Sequence, residues 1–314
     1  MENKYINYTE LIDNYSGEEL QKFLDNIKTK GKKIASLYGN CHMEILAMYL
    51  KKSSEFLEEY FLIELPVIFE MGKAGIVKLD EIFLNSLDLL IFQNIDEDNK
   101  FGPQWATEKM ITSFKEDCLR IVVPNMVFYG YHPQEGRRHN TIIKNMVNHV
   151  PMFAGDKYID EEYKKTHSIK KTIANIKRID YIGEGQIKSN LKKAFRLLEL
   201  QDEGCDIQMR DFVIDNYKDI YLFAEPKHPA NIFFHEMADR ILLHIGMKAL
   251  TNELDLDKEY FLSTINRLLY PSVGHCLGTK FRVESYYIDR RLTEQKFTFE
   301  EFVEVYIRNT SEME

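Results

Sequence analysis

Four short apolar runs, separated by stretches of helical spacing, constrain the fold of this chain more than any other feature. They are KKIASLY (32–38), YFLIELPVIF (60–69), LDLLIFQ (87–93) and LRIVVPNMVFYG (119–130). Runs this short and continuously apolar suit strands buried on both faces. Between the first two runs, Ile45, Leu46, Tyr49 and Leu50 recur at helical spacing over 43–51. Further helical patterns lie near 78–86 and 104–116. Strand and helix in alternation predict an α/β fold with a parallel sheet flanked by helices. Pro66 predicts an edge position or an early end for the second run, and Pro124 an interruption of the fourth.

The rest reads mainly as helix. Residues 8–28 carry Leu20, Phe23, Leu24 and Ile27 on one face, with Ser16 and Glu19 spaced as a capping box. Residues 160–178, 185–202 and 206–217 are charged and amphipathic. DIYLFAEP (219–226) is a last strand candidate, 229–250 a long helix, and 258–309 mixed. We read one α/β domain over 1–314. Its core lies at about 30–150 and 218–250, with a large helical insertion at about 158–217 and a helical C-terminal extension at about 251–314.

Composition narrows the function classes. With 41 basic and 50 acidic residues the formal charge is −9, a poor balance for neutralising nucleic-acid phosphates. The N-terminal residues lack a signal-peptide pattern, and no stretch approaches the roughly 18 apolar residues that span a bilayer. A cytoplasmic protein without membrane insertion is expected. The four cysteines, Cys41, Cys118, Cys205 and Cys276, form no CxxC pair, so reduced thiols are expected rather than a disulfide framework or zinc site.

SLYGNCHMEI (36–45) leaves the first strand through Gly39 and Asn40 and places Cys41 just before a helix. Open parallel sheets bind ligands beyond the carboxyl ends of their strands. A helix N-terminus supplies N–H groups and partial positive charge, which favour a thiolate and can hold an oxyanion. Cysteine there is either a nucleophile or a small buried filler, and the residues alone leave both open. A nucleophilic thiol needs a base. Among nine histidines, His228 has the most telling context: AEPKHPANIFF sets it between a strand candidate and a helix, at the carboxyl edge of the sheet. Glu225, three residues earlier, can accept the other ring N–H. A purely loop-shaping role for Glu225 and His228 also stays open.

These residues carry a resemblance. Gly39-Asn40-Cys41 resembles the first block of the SGNH (GDSL-type) hydrolases, with Cys for Ser and Asn for Asp. Glu225-Pro-Lys-His228-Pro229 resembles their last block, Asp-x-x-His-Pro. LDLLIFQNID resembles the third block, which implies Asn94 or Gln93 as an oxyanion donor, and Gly72 matches the oxyanion glycine of the second. The cysteine, the glutamine near the third strand end and PNMVFYGYHPQ (124–134) are similar to the WcbI family of bacterial capsule polysaccharide biosynthesis proteins, over roughly residues 33–245. Glu225 stands where the hydrolase block has Asp, and His42 where the capsule family often has Gln. Residues 160–217 and 258–314 match no known block.

The resemblance implies an SGNH-like parallel sheet and acyl transfer from coenzyme A, most simply acetyl transfer, to a sugar hydroxyl in capsule or other surface polysaccharide biosynthesis. Cys41 would be the nucleophile, His228 its base and Glu225 the orienting carboxylate. The turn at Gly39 and Asn40, with Asn94 or Gln93, would hold the oxyanion. His42, Gly72, His132, Arg137, Arg138 and Lys144 are the candidate coenzyme A contacts, the last three from the basic stretch GRRHNTIIK (136–144), which reads equally well as a solvated loop. A second basic stretch, KKTIANIKR (170–178), reads better as an exposed helix face. The partners implied are acyl-CoA and a sugar or glycan precursor. Alternatives are a thiol-dependent esterase on the same scaffold and a non-catalytic glycan- or nucleotide-binding protein. No metal is expected: His235-Glu236-x-x-Asp239 departs from HExxH at its last ligand. His132 is a rival base. GHCLG (274–278), with His275 beside Cys276, reads as a tight turn.

Overall fold

In the computed structural model, β2 (Lys33–Tyr38) is the central strand of a five-stranded parallel sheet. The structure describes residues 4–112, 114–134, 155–250, 266–287 and 295–311. The chain divides into two compact units. The first comprises Met1–Asn125, Gln201–Met209 and Ile232–Leu256; the second comprises Met126–Leu200, Arg210–Asn231 and Asp257–Glu314.

The sheet lies in the first unit. Its other strands are β1 (Tyr5–Asn7), β3 (Tyr60–Glu64), β4 (Leu89–Phe92) and β5 (Leu119–Val122), in the order β1-β3-β2-β4-β5. The chain steps from β2 to β3 on one side, then crosses β2 to lay down β4 and β5 on the other. Strand order therefore reverses between β2 and β4, and a crevice at such a switch point is where open α/β sheets bind ligands. Tyr38 pairs with Phe92, so the residues that follow, Gly39 and Gln93, leave the sheet side by side. Five of the six β2 residues are buried, as a strand covered on both faces requires.

Helices α1 (Tyr8–Asn14) and α2 (Glu18–Thr29) replace the continuous helix expected over 8–28. Gly17, at φ 51°, breaks them apart and caps α2 without a side-chain bond, so the Ser16–Glu19 capping box does not form. Leu20, Leu24 and Ile27 of α2 join the core with Ile34 and Phe61. Helix α3 (His42–Leu50) follows the β2 turn as expected. The second apolar run ends early, at Glu64 before Pro66, but it is no edge strand, because β1 pairs along its outer side. The fourth run ends at Val122, before Pro124. No helix among the described residues is long and apolar enough to cross a membrane.

The second unit is largely helical, with Lys157–Thr166, Ile169–Ile176, most of Glu184–Asp202, Arg210–Asn216, Pro271–Leu277 and Phe299–Ser311. The helix expected over 160–178 is two, divided at His167, whose left-handed backbone (φ 47°) ends the first. The strand candidate 219–226 does not join the parallel sheet. Only β6 (Phe223–Glu225) is extended, and it pairs antiparallel with β7 (His228–Pro229). The two-residue Pro226-Lys227 turn folds the chain back on itself, so His228 sits on the return strand of a hairpin. GHCLG is not a tight turn either: Gly274–Leu277 finish helix Pro271–Leu277, and Gly278 caps it in the left-handed conformation.

Candidate active site

The β2 turn is held from the neighbouring strand. Gln93, 2% exposed, accepts the Asn40 backbone N–H at Oε1 (3.0 Å) and donates from Nε2 to the Pro124 carbonyl (3.3 Å). Its own carbonyl accepts the Thr107 hydroxyl (3.1 Å). A Cβ on Gly39 would lie 2.6 Å from Gln93 Oε1 and 2.9 Å from Met43 Cγ, so the turn packs this closely only with glycine. Asn40 Oδ1 accepts the His42 N–H (2.9 Å), its carbonyl accepts the Met43 N–H (2.9 Å), and its Nδ2 donates to Asn125 Oδ1 (2.8 Å). Asn40 thus satisfies the first turn of α3 in the manner of a cap. Cys41, half-buried, stands at the N-cap position of α3 in helical backbone (φ −57°, ψ −17°).

Three N–H groups of this turn, those of Asn40, His42 and Met43, are therefore occupied within the protein. Gln93 spends its carboxamide on fixing the turn. Asn94, next along, presents an exposed side chain. His42 is buried (1% exposed) with its ring edge-on to Phe234, 5.4 Å between centroids. Gly72 lies exposed at the end of helix Ile68–Met71, with open space where a Cβ would stand.

In the second unit, Glu225 and His228 face each other as the closing pair of the β6–β7 hairpin. His228 Nδ1 lies 3.2 Å from Glu225 Oε1, with the side chains 24% and 19% exposed. Burial pushes the Glu225 carboxyl up, but the His228 ring and the Arg267 guanidinium outweigh it and hold the carboxyl below its ordinary value. Arg267 is anchored by its N–H to the Ala224 carbonyl (3.0 Å) and by its guanidinium to the Gly155 carbonyl (3.3 Å). His132 is fully buried. Its Nε2 is 3.1 Å from the Phe223 carbonyl and its Nδ1 3.5 Å from Gln134 Nε2. Burial lowers its pKa to about 4, which keeps it neutral. With both ring nitrogens engaged it supports the hairpin, an arrangement that does not suit a base.

Arg137, Arg138 and Lys144 lie outside the described residues. His235 and Asp239 contact each other at 3.3 Å, while Glu236 pairs with Arg240 at 2.7 Å. Among the described residues no group of His, Cys, Asp or Glu is arranged to hold a metal ion. Sequence reading missed Arg267 and Asn125. Asn125 sits inside PNMVFYG and was open to detection there; nothing in NRLLY (266–270) pointed to Arg267.

The family model for the polysaccharide biosynthesis enzyme WcbI matches residues 34–250, more than half of the chain. The chain belongs to the WcbI family. The fold agrees. A solved structure of WcbI, described as a novel polysaccharide biosynthesis enzyme and as the native protein without a disulfide bond between coenzyme A and a cysteine of that protein, superposes with a TM-score of 0.65. The match covers 89% of this chain and 90% of that one at 18% identity. No curated protein matches the chain. The family match spans β2 to the end of helix Asn231–His244, so both the Cys41 turn and the Glu225–His228 hairpin fall inside the WcbI region.

Proposed function

We propose that the chain is an acyl-CoA-dependent transferase, acetyl-CoA being the simplest donor, that acylates a sugar hydroxyl in capsule or other surface polysaccharide biosynthesis. The observation that carries this reading is the placement of Cys41 at the head of α3, at the switch point between β2 and β4, in a turn shaped by Gly39, Asn40 and Gln93. The related WcbI structure, whose description names both coenzyme A and a cysteine, supports it.

In this reading His228 takes the Cys41 thiol proton, with Glu225 fixing the ring through Nδ1. The thiolate attacks the thioester carbon, the bond to the coenzyme A sulfur breaks, and coenzyme A leaves with the proton. The sugar hydroxyl then attacks the acyl-cysteine, passes its proton to His228 and frees the thiol. The exposed Asn94 carboxamide, rather than Gln93, supplies an oxyanion donor.

Intact-protein mass after incubation with acetyl-CoA, for wild type and Cys41→Ala, tests the reading. The expected result is a gain of one acetyl group on wild type alone, with free coenzyme A binding to both. Binding without acylation would replace the covalent step by direct attack of the sugar on acyl-CoA. Neither binding nor acylation would overturn the transferase in favour of an esterase or a non-catalytic glycan-binding protein.

A further inference from the structure

A cavity of about 480 Å³ opens in the first unit at the carboxyl ends of β1, β2 and β3. That is within the size range of small-molecule sites. Its floor is apolar, from Leu37 of β2 and Met43 and Ala47 of α3, with Pro66 on the wall. Its rim is carboxylate: Glu44 from α3, Glu64 from the end of β3 and Glu70 from helix Ile68–Met71, with Lys73 as the cation among its lining residues. Lys51 pairs with Glu64 at 2.8 Å, whereas Glu44 and Glu70 have no ion-pair partner among the described residues. Burial pushes the Glu44 carboxyl up, and the charges of Glu70 and Glu64 add to it.

The cavity is tied to the Cys41 turn. The Ile68 N–H, just past the Pro66 wall, donates to the Gly39 carbonyl (2.9 Å). Met43 both lines the cavity and packs against Gly39. Lys51 offsets Glu64, but Glu44 and Glu70 outnumber Lys73 and leave the rim net negative, so this is a poor seat for the charged end of coenzyme A. Carboxylates accept hydrogen bonds from hydroxyl or ammonium groups, and an apolar floor packs against the C–H face of a sugar ring.

We infer that this cavity is the acceptor subsite, binding a neutral or amino-bearing sugar ring whose hydroxyl or ammonium hydrogens are donated to Glu44 and Glu70, and excluding uronic acids and sugar phosphates from the ring position. Naming the occupant as acceptor rests on the acyl-transfer reading above; the ligand chemistry does not.

The test is ligand-observed NMR on the full chain with methyl glucosaminide, methyl glucoside and methyl glucuronide, using wild type and Glu44→Gln/Glu70→Gln. Coenzyme A binding is measured calorimetrically in the same preparations. The glucosaminide and glucoside should bind wild type and the glucuronide should not. The double variant should bind the glucosaminide about tenfold more weakly, the loss expected for a charge-assisted hydrogen bond, and coenzyme A unchanged. Equal binding by variant and wild type, glucuronide binding as tight as glucosaminide, or coenzyme A binding with no sugar binding would each overturn the subsite. Sugar binding as expected without coenzyme A binding would uphold the subsite and sink acyl transfer; loss of both would sink both. The glucosaminide–glucuronide contrast on wild type needs no variant, so a folding defect in the double variant leaves the test intact.

Discussion

Gln93 Oε1 occupies the space that a Cβ on Gly39 would need, while accepting the N–H of the next residue, Asn40. One side chain therefore both fixes the Cys41 turn and forbids any residue but glycine two positions before the cysteine. Gly39→Ala must displace Gln93 from Asn40 and Pro124, or push Met43 out of the core. Overpacking of this kind costs about 1–3 kcal/mol. Thermal denaturation should show a fall of roughly 2–4 °C for each kcal/mol in a chain this size. Adding Gln93→Ala should relieve part of the loss; strictly additive losses would show that the two residues do not compete for the same space.

Asn40 does two separable things. Its Oδ1 serves the first turn of α3 through the His42 N–H, and its Nδ2 reaches Asn125. Asn40→Ala removes both and should cost about 0.5–2 kcal/mol, as for loss of an N-terminal cap. Asn40→Asp keeps the acceptor and loses only the donor, so its stability should lie close to wild type. Urea denaturation of the two variants separates the roles, and equal losses would show that the Asn125 contact dominates.

The parallel sheet could be read from the chain because strands buried on both faces run almost continuously apolar, as in IASLY of β2, where the buried Ser36 hydroxyl donates to the Ile63 carbonyl of β3 (2.6 Å). β1 could not. Its three residues alternate in exposure, and it is a strand only because β3 offers it an edge. The 219–226 run misled for the opposite reason. It is apolar enough for a central strand, but Pro226 begins the turn and Pro229 has no N–H to give a ladder. At the site, the Gly39-Asn40-Cys41 turn was visible as a glycine-led strand exit. The work of Gln93 was not, because it follows from the Tyr38–Phe92 register, which no local pattern states. Arg267 was hidden for a similar reason: it meets β6 through its backbone, more than forty residues along the chain.

Glu225 should leave a signature in acid. Its carboxyl titrates below the ordinary value of 4.5 in the folded protein, so the stability it contributes is present above that value and is lost as pH falls through the folded one. Glu225→Gln keeps the shape and removes the charge. The gap in unfolding free energy between wild type and Glu225→Gln should shrink as pH drops below about 4.5. Arg267→Met, which removes one of the cations holding the carboxyl down, should move that shrinkage to higher pH. A gap independent of pH would mean that Glu225 contributes only shape.

Asp156 predicts the opposite slope. It caps helix Lys157–Thr166, its Oδ1 accepting the N–H groups of Tyr158 (3.0 Å) and Ile159 (3.3 Å) and the Tyr270 hydroxyl (2.7 Å). Its own N–H donates to the Tyr306 hydroxyl oxygen (3.0 Å), and Tyr306 in turn donates to Asp160 (2.9 Å). Burial raises its pKa from 3.8 to about 6, despite those three bonds to the carboxylate. The folded state thus holds a proton that the unfolded state releases, and its stability falls as pH rises from about 4 to about 6. Asp156→Asn retains an oxygen for all three donors and does not titrate. It should lack that fall and be no less stable than wild type above pH 6. Asp156→Ala strands two N–H groups and a hydroxyl in a buried site, at a cost of about 1–3 kcal/mol for each donor left unpaired. Denaturant unfolding of the three proteins across this pH range decides the matter: parallel curves for wild type and Asp156→Asn would show that the carboxyl keeps its charge when folded, and that the cap alone explains its place.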